Sequence, residues 1–133
     1  MLNNKKLYGF ALVVAATVIS GCYKDTTVPA SASGNEIIIN KTVTFTTDII
    51  PIFTKNCALS GCHATGNKKP DLSSGNAYSS LQTGNYFNVS GPETSEIYQW
   101  LTGKRGTQMP PNGADATINA MVLAWIKQGA KNN

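Results

Sequence analysis

Apolar side chains recur every three or four positions in four short stretches between residues 48 and 129, and loops rich in glycine, proline and polar residues separate these stretches. This spacing places the apolar side chains on one face of a helix, which can then be buried. The sequence therefore predicts an all-α domain of about four short helices with long loops. The predicted helices run from Asp48 into Cys57, from Ala77 to Leu81, from Pro92 to Gly103 and from Asp115 to Gly129.

Residues with capping or special backbone chemistry mark the ends of these helices. Asp48 and Asp115 are the expected N-cap residues, because a carboxylate can accept hydrogen bonds from the first backbone N–H groups of a helix. Pro51 lies in the first turn, where its missing N–H does no harm. Lys127 in the last turn and Gly129 just beyond it predict where the final helix ends.

The first 21 residues have a different pattern, in which Lys5 and Lys6 precede a mostly apolar stretch at 7–19. This arrangement is typical of an export signal, and the stretch is shorter than the roughly 20 residues that span a membrane. The end of the segment resembles the lipobox of bacterial lipoproteins, with the letters ISGC at positions 19–22. The resemblance implies that Cys22 carries a diacylglyceryl group as the first residue of the mature chain. An uncleaved anchor with an incidental cysteine is the alternative, and both interpretations place the domain outside the cytoplasm.

Composition and charge divide the chain into parts and limit its class. We predict a lipoprotein signal peptide at 1–21, a lipidated N-terminus and flexible tether at 22–43, and one domain at 44–133. The tether is rich in small polar residues, although short apolar runs near its end fit either strands or an extended lead into the domain. Apolar residues make up 41% of the chain and charged residues 14%, which suits one small globular domain. The formal charge of +4, half of it from Lys5 and Lys6, is too small to indicate nucleic-acid binding.

Two of the three cysteines and the only histidine lie together, at Cys57, Cys62 and His63. A c-type haem site needs two thiols that add to the vinyl groups of the porphyrin, and an imidazole directly after the second thiol, which places it under the iron. Two residues usually separate the cysteines, whereas four do so here, so the match is to a rarer variant. The extra residues must loop outward, and Gly61 makes this easier because glycine admits a positive φ. The motif predicts one covalent haem c on Cys57 and Cys62, with His63 on the iron.

Two other sites could use the same cysteines. A disulfide between Cys57 and Cys62 is natural in an oxidising compartment, although it would close a short loop of little entropic value. This alternative leaves open a haem-free surface lipoprotein. A zinc site is less suitable, because zinc normally takes four ligands and the chain has no further histidine and, beyond Cys22, no further cysteine.

The order of several short motifs resembles the monohaem cytochrome c domains first described in planctomycetes, over about residues 44–130. In that family an Ile-Phe helix end leads into the cysteine pair. A Leu-Ser with a later Tyr and Leu follows, then a Ser-x-x-Tyr helix, a Met-Pro-Pro loop and a Trp-Ile-x-x-Gly-Ala helix. The four-residue cysteine spacing departs from the family pattern. The matching residues are Ile52 and Phe53, Leu72, Ser73, Tyr78 and Leu81, Ser95 and Tyr98, Met109, Pro110 and Pro111, and Trp125, Ile126, Gly129 and Ala130. The resemblance implies a small cytochrome c-like fold around one covalent haem.

The sixth iron ligand follows from elimination as well as from the resemblance. His63 is already used, so only the thioethers of Met109 and Met121 remain in the mature domain. Met121 lies on the apolar face of the last predicted helix, where a methionine usually fills the core. Met109 precedes two prolines, which stiffen its loop and favour an extended backbone. We therefore expect Met109 on the iron.

Further residues are expected around the haem. The resemblance places Leu72 there, and Trp100, Lys104 and Arg105 could bond the haem propionates. A solvated turn is the alternative for the two charged side chains.

Histidine and methionine together saturate the iron and leave no position for a substrate, which favours electron transfer over an enzyme. The implied partners are redox proteins and, through the N-terminal lipid, a membrane, with no nucleic acid and no small-molecule substrate. The expected location is the periplasmic face of a bacterial membrane or the cell surface. A haem-based sensor or gas-binding lipoprotein with an open sixth position is the alternative.

Overall fold

The computed structural model describes residues 37–113 and 115–133, and it shows a helical domain in which no strand forms among those residues. The predicted signal peptide, Cys22 and most of the predicted tether lie outside the described residues. The all-α class with four α-helices is confirmed for the described part, and the strand alternative for its first residues is wrong. The elements are a π-helical turn (Phe45–Ile49), α1 (Ile50–Asn56), α2 (Ala77–Thr83), a 3-10 turn (Pro92–Thr94), α3 (Glu96–Leu101) and α4 (Ala116–Lys127).

The first helical segment begins before Asp48, so the prediction of Asp48 as its N-cap is wrong. Thr44 is the N-cap, and Oδ2 of Asp48 accepts the backbone N–H of Thr44 at 2.8 Å from inside the turn. Asn133 satisfies the next two donors: its side-chain oxygen accepts from Phe45 at 3.0 Å, and its backbone oxygen accepts from Thr46 at 2.8 Å. Because the first N–H groups of a helix need acceptors, these distant contacts allow the helix to start at Phe45.

The last helix, α4, begins where the sequence predicts. Oδ1 of Asp115 accepts the backbone N–H groups of Thr117 at 2.8 Å and of Ile118 at 3.1 Å, which confirms Asp115 as the N-cap. Gly129 has a φ of +99°, a left-handed conformation that favours glycine just past a helix end. The helix buries one apolar face, formed by Ile118, Val122, Trp125 and Ile126.

An aromatic cluster joins the start of the domain to α2 and α4. The ring centroid of Phe45 lies 5.1 Å from that of Trp125 and 5.3 Å from that of Tyr78. Aromatic pairs at such distances contribute on the order of 1 kcal/mol each beyond burial. The polar ring atoms also find partners, because the Tyr78 hydroxyl donates to the carbonyl of Ala130 at 3.1 Å and Nε1 of Trp125 donates to that of Lys131 at 2.9 Å. The cluster therefore fixes the residues that follow α4.

Helices α2 and α3 contribute to the same hydrophobic core. Ala77 and Leu81 of α2 are fully buried, and Ile97 and Leu101 of α3 are nearly so. Trp100, also on α3, is only half-buried. Within residues 37–113 and 115–133, no helix has the length and apolar character that crossing a membrane requires.

Candidate functional site

The segment after α1 folds into a compact loop that carries both cysteines and the histidine. Helix α1 ends at Asn56, and the backbone N–H of Cys57, its C-cap residue, donates to the Phe53 carbonyl at 2.8 Å. The backbone N–H of His63 donates to the Cys57 carbonyl at 3.1 Å and closes the loop. Gly61 has a φ of +76°, and both Gly61 and Leu59 are exposed. The extra residues between the cysteines thus loop outward, as the sequence predicts.

The two cysteines of this loop are half-buried and are not joined by a disulfide. Burial raises the pKa of the Cys57 thiol to about 11, and the neighbouring Cys62 adds to this effect. Burial therefore favours the neutral thiol of Cys57 over its thiolate.

The side chain of His63 is held in one orientation by the backbone of a neighbouring loop. Its Nδ1 lies 3.0 Å from the carbonyl oxygen of Pro70, and because a carbonyl can only accept, Nδ1 carries the proton. In the neutral imidazole Nε2 is then the nitrogen without a proton, and its lone pair can bind a metal. The backbone carbonyl of His63 also accepts the N–H of Leu72 at 2.7 Å, so the two ends of this loop are joined. Metal-binding histidines in proteins are commonly oriented by such a bond from the second ring nitrogen.

A mostly apolar cavity of about 290 Å³ opens beside this loop. Cofactor and ligand sites begin at about 300 Å³, so the cavity lies near the lower end of that range. Its wall combines the end of α1, the loop at 63–72, the segment after α2, helix α3 and the loop that follows α3. The lining residues are Phe53, Cys57, His63, Lys68, Lys69, Pro70, Leu72, Tyr86, Glu96, Ile97, Trp100, Leu101 and Met109.

The cavity brings together predicted site residues that are far apart in the sequence. Met109 lines it together with His63, and the backbone N–H of Met109 donates to the Trp100 carbonyl at 3.0 Å, which ties the Met-Pro-Pro loop to α3. Leu72 lines it as a buried residue. Cys62 is next to His63 in the chain but is not part of the wall. The structure thus brings three predicted site residues, His63, Met109 and Cys57, to the wall of one cavity.

Glu96 is a cavity residue that the sequence analysis misses. Nε1 of Trp100 donates to its Oε1 at 3.3 Å, and Arg105 forms an ion pair with its Oε2 at 2.8 Å. Glu96 lines the cavity, whereas Arg105 and Lys104 do not. Two groups expected to bond propionates therefore hold a carboxylate of the protein itself. The contact between Trp100 and Glu96 has a sequence signal, because the two residues are four positions apart and so lie on one face of a helix.

The donors at this cavity fit a haem better than they fit a bare metal ion. His63 supplies one nitrogen, Met109 supplies one thioether sulfur, and most of the remaining wall is apolar or aromatic. In the described part of the chain, no three His, Cys, Asp or Glu side chains gather as they would around a metal ion. A porphyrin brings four nitrogen ligands of its own and needs only one or two from the protein.

The chain matches no protein-family model, no curated protein and no solved structure.

Proposed function

We propose that the domain is a monohaem c-type cytochrome that carries single electrons and is not an enzyme. The observation that supports this most directly is the hydrogen bond of 3.0 Å between Nδ1 of His63 and the Pro70 carbonyl. It leaves Nε2 as the metal-binding nitrogen of a histidine that shares a cavity with Cys57 and Met109. The oriented His63 and Cys57 share this cavity, and Cys62, the second thiol that covalent attachment requires, directly precedes His63 in the chain.

Bound haem supplies a one-electron couple, and the residues of the chain attach it, orient it and shield it from water. Cys57 and Cys62 would attach it covalently through their thiols. His63 and Met109 would supply a nitrogen and a sulfur ligand to the iron, and a substrate or gas would then find no free position. The function that follows is outer-sphere transfer of electrons between redox proteins.

The apolar wall sets the environment of the proposed haem. Leu72 is 4% exposed, Ile97 is 7% exposed and Phe53 is 1% exposed, so this part of the wall excludes water. A surrounding of low polarity disfavours the extra positive charge of oxidised iron. The wall therefore raises the reduction potential relative to a haem in contact with water.

We also propose that the domain is exported and held at a membrane or cell surface by a lipid on Cys22. The support is the sequence of the N-terminal segment, with its basic start, its short apolar stretch and the lipobox-like letters at 19–22. Redox proteins at the same surface would be its partners.

Haem staining of a denaturing gel tests the proposal. The full chain and the Cys57→Ala/Cys62→Ala double variant are expressed together with the machinery that attaches haem to c-type cytochromes. The parent should keep its haem through acid and denaturant, whereas the double variant should keep none because no thiol remains to attach it. Cys22→Ala is the matched control: it also removes a cysteine, but it should keep the haem and lose only the lipid, so that the domain is released or keeps its signal uncleaved.

Three outcomes would contradict the proposal. A well-folded parent without colour, or a double variant that retains covalent haem, would exclude attachment through Cys57 and Cys62. A haem-bearing parent that binds carbon monoxide when reduced would favour a sensor or gas-binding protein with an open sixth position.

A further inference from the structure

The peptide bond between Pro70 and Asp71 connects the candidate site to helix α2. The Pro70 carbonyl accepts Nδ1–H of His63 at 3.0 Å, and the Asp71 N–H donates to Oγ of Ser80 at 2.8 Å. The C=O and N–H groups of one peptide are coplanar, so a rotation of this plane would weaken both hydrogen bonds together. A hydroxyl group on a different element therefore helps to orient the carbonyl that holds the histidine.

Helix α2 gives Ser80 a fixed position. Ala77 and Leu81 of the same helix are fully buried in the hydrophobic core, whereas the neighbouring Ser79 is exposed. Because packing immobilises the helix, the Ser80 hydroxyl is a rigid acceptor for the Asp71 N–H. Ser80 therefore contacts the loop at 63–72, whereas Ser79 is exposed to solvent, so Ser79 offers a control position for Ser80.

The side chain of Asp71 makes other bonds and does not replace Ser80. Its Oδ1 accepts from the backbone N–H of Ser73 at 3.0 Å and from the Ser73 hydroxyl at 2.6 Å, and its Oδ2 accepts from Nδ2 of Asn76 at 3.0 Å. These bonds stabilise the turn that follows the peptide bond between Pro70 and Asp71. In the described part of the chain, the peptide N–H itself has Ser80 as its partner.

We propose that Ser80 is a positioning residue for His63, an inference that rests on the proposed haem site. By holding the Asp71 N–H, Ser80 keeps the Pro70 carbonyl on Nδ1–H. That hydrogen bond makes Nε2 a stronger electron donor, and a stronger donor stabilises oxidised iron. Ser80 therefore lowers the reduction potential without touching the haem or its ligands.

The Ser80→Ala variant tests this role in the haem-bearing protein. It should keep the covalent haem, because both cysteines and His63 are unchanged. The unpaired peptide N–H can then turn toward water, which weakens the bond to Nδ1 and lowers the donor strength of Nε2. We expect the reduction potential to rise, and we expect the Nδ1 proton of His63, followed by NMR, to exchange with solvent about fivefold faster, as for the loss of one ordinary hydrogen bond.

Three further variants distinguish the effect of the Ser80 hydroxyl group from the effect of a change in packing. Ser79→Ala makes the same chemical change at an exposed position and should leave both the potential and the exchange rate unchanged. Ser80→Thr and Ser80→Val have nearly the same shape and differ only in the hydroxyl. The threonine variant should behave like the parent, and the valine variant should behave like Ser80→Ala.

The outcomes distinguish this inference from the proposed function. Equal potentials and equal exchange rates in the threonine and valine variants would overturn the role of Ser80, and so would a Ser80→Ala protein that behaves like Ser79→Ala. If Ser80→Ala does not fold, the comparison of Ser80→Thr with Ser80→Val decides whether the hydroxyl positions His63. A parent that carries no covalent haem would overturn both proposals, and haem staining of the parent identifies that case at once.

Discussion

Met109 and Met121 carry the same thioether but lie in different surroundings. Met109 lines the cavity together with His63, and its backbone is bonded to Trp100 of α3. Met121 lies on α4 and packs against the hydrophobic core. A thioether at the cavity is available to a metal bound there, whereas one in the core fills space. These surroundings favour Met109 as the second axial ligand of the proposed haem.

Met109→Ala should keep the covalent haem but open the sixth position, because the attachment and His63 are unchanged. Methionine sulfur stabilises ferrous iron relative to a water oxygen, so the reduction potential should fall. The reduced variant should bind one carbon monoxide per haem, while the parent and the Met121→Ala control should bind none. The weak far-red charge-transfer band from sulfur to iron should disappear in the variant. If that band instead survives in Met109→Ala and is lost in Met121→Ala, then α4 supplies the ligand.

The sequence proposes candidates from spacing and scarcity, and it misses contacts between distant residues. His63 is a candidate because it directly follows a cysteine and Met109 because few thioethers remain, and the structure places both at one cavity. Nothing local indicates that the Pro70 carbonyl meets an imidazole. Arg105 was expected near the propionates, but its ion pair with Glu96 depends on how the turn after α3 folds back.

The helices differ in how far their own sequences determine their ends. Asp115 and Gly129 act within one turn of α4, so the local pattern is sufficient to predict where this helix starts and stops. The π-helical turn begins at Phe45 because Asn133, 88 residues further along the chain, accepts its N–H. No local pattern can reveal such a contact, and for this reason the predicted start at Asp48 is wrong.

Asp115→Ala should lower the free energy of unfolding by about 1 kcal/mol, because two backbone N–H groups lose their acceptor. Urea unfolding of the haem-bearing protein measures the change. Thr117→Ala is the matched control: its side chain is exposed and its backbone N–H remains bonded, so stability should stay the same or rise slightly. Equal losses in the two variants would show that the carboxylate is not what stabilises the start of α4.

At the scale of the whole domain, hydrogen bonds to carboxylates make stability depend on pH. Each affected carboxyl group has a pKa below its ordinary value, so it stabilises the fold above its unfolded pKa and loses that contribution as the pH falls through its folded pKa. Stability should therefore decline on acidification below about pH 4. The groups with a lowered pKa are Asp48, Asp71 and Glu93, and their main hydrogen-bond donors are Lys41, Ser73 and Lys127 respectively.

Asp71→Asn isolates one of these contributions, because the amide resembles the protonated acid in shape and charge at every pH. The variant should be less stable than the parent at pH 7, where the carboxylate accepts from Ser73 and Asn76. The difference should shrink as the pH falls through the lowered pKa of Asp71. Urea midpoints of the two proteins between pH 7 and pH 3 measure this convergence. A difference that stays constant over this range would contradict the prediction.

The hydrogen bonds from Phe45 and Thr46 to Asn133 also link the order of synthesis to the order of folding. The backbone N–H groups of Phe45 and Thr46 can bind their acceptors only after Asn133, which follows α4, has been synthesised and exported. Contacts between such distant residues form slowly compared with local helical ones. In an exported chain, Cys57 and Cys62 would reach the far side of the membrane well before this closing contact could form. The enzymes that attach haem would then meet both thiols on an open chain, before the closed fold half-buries them.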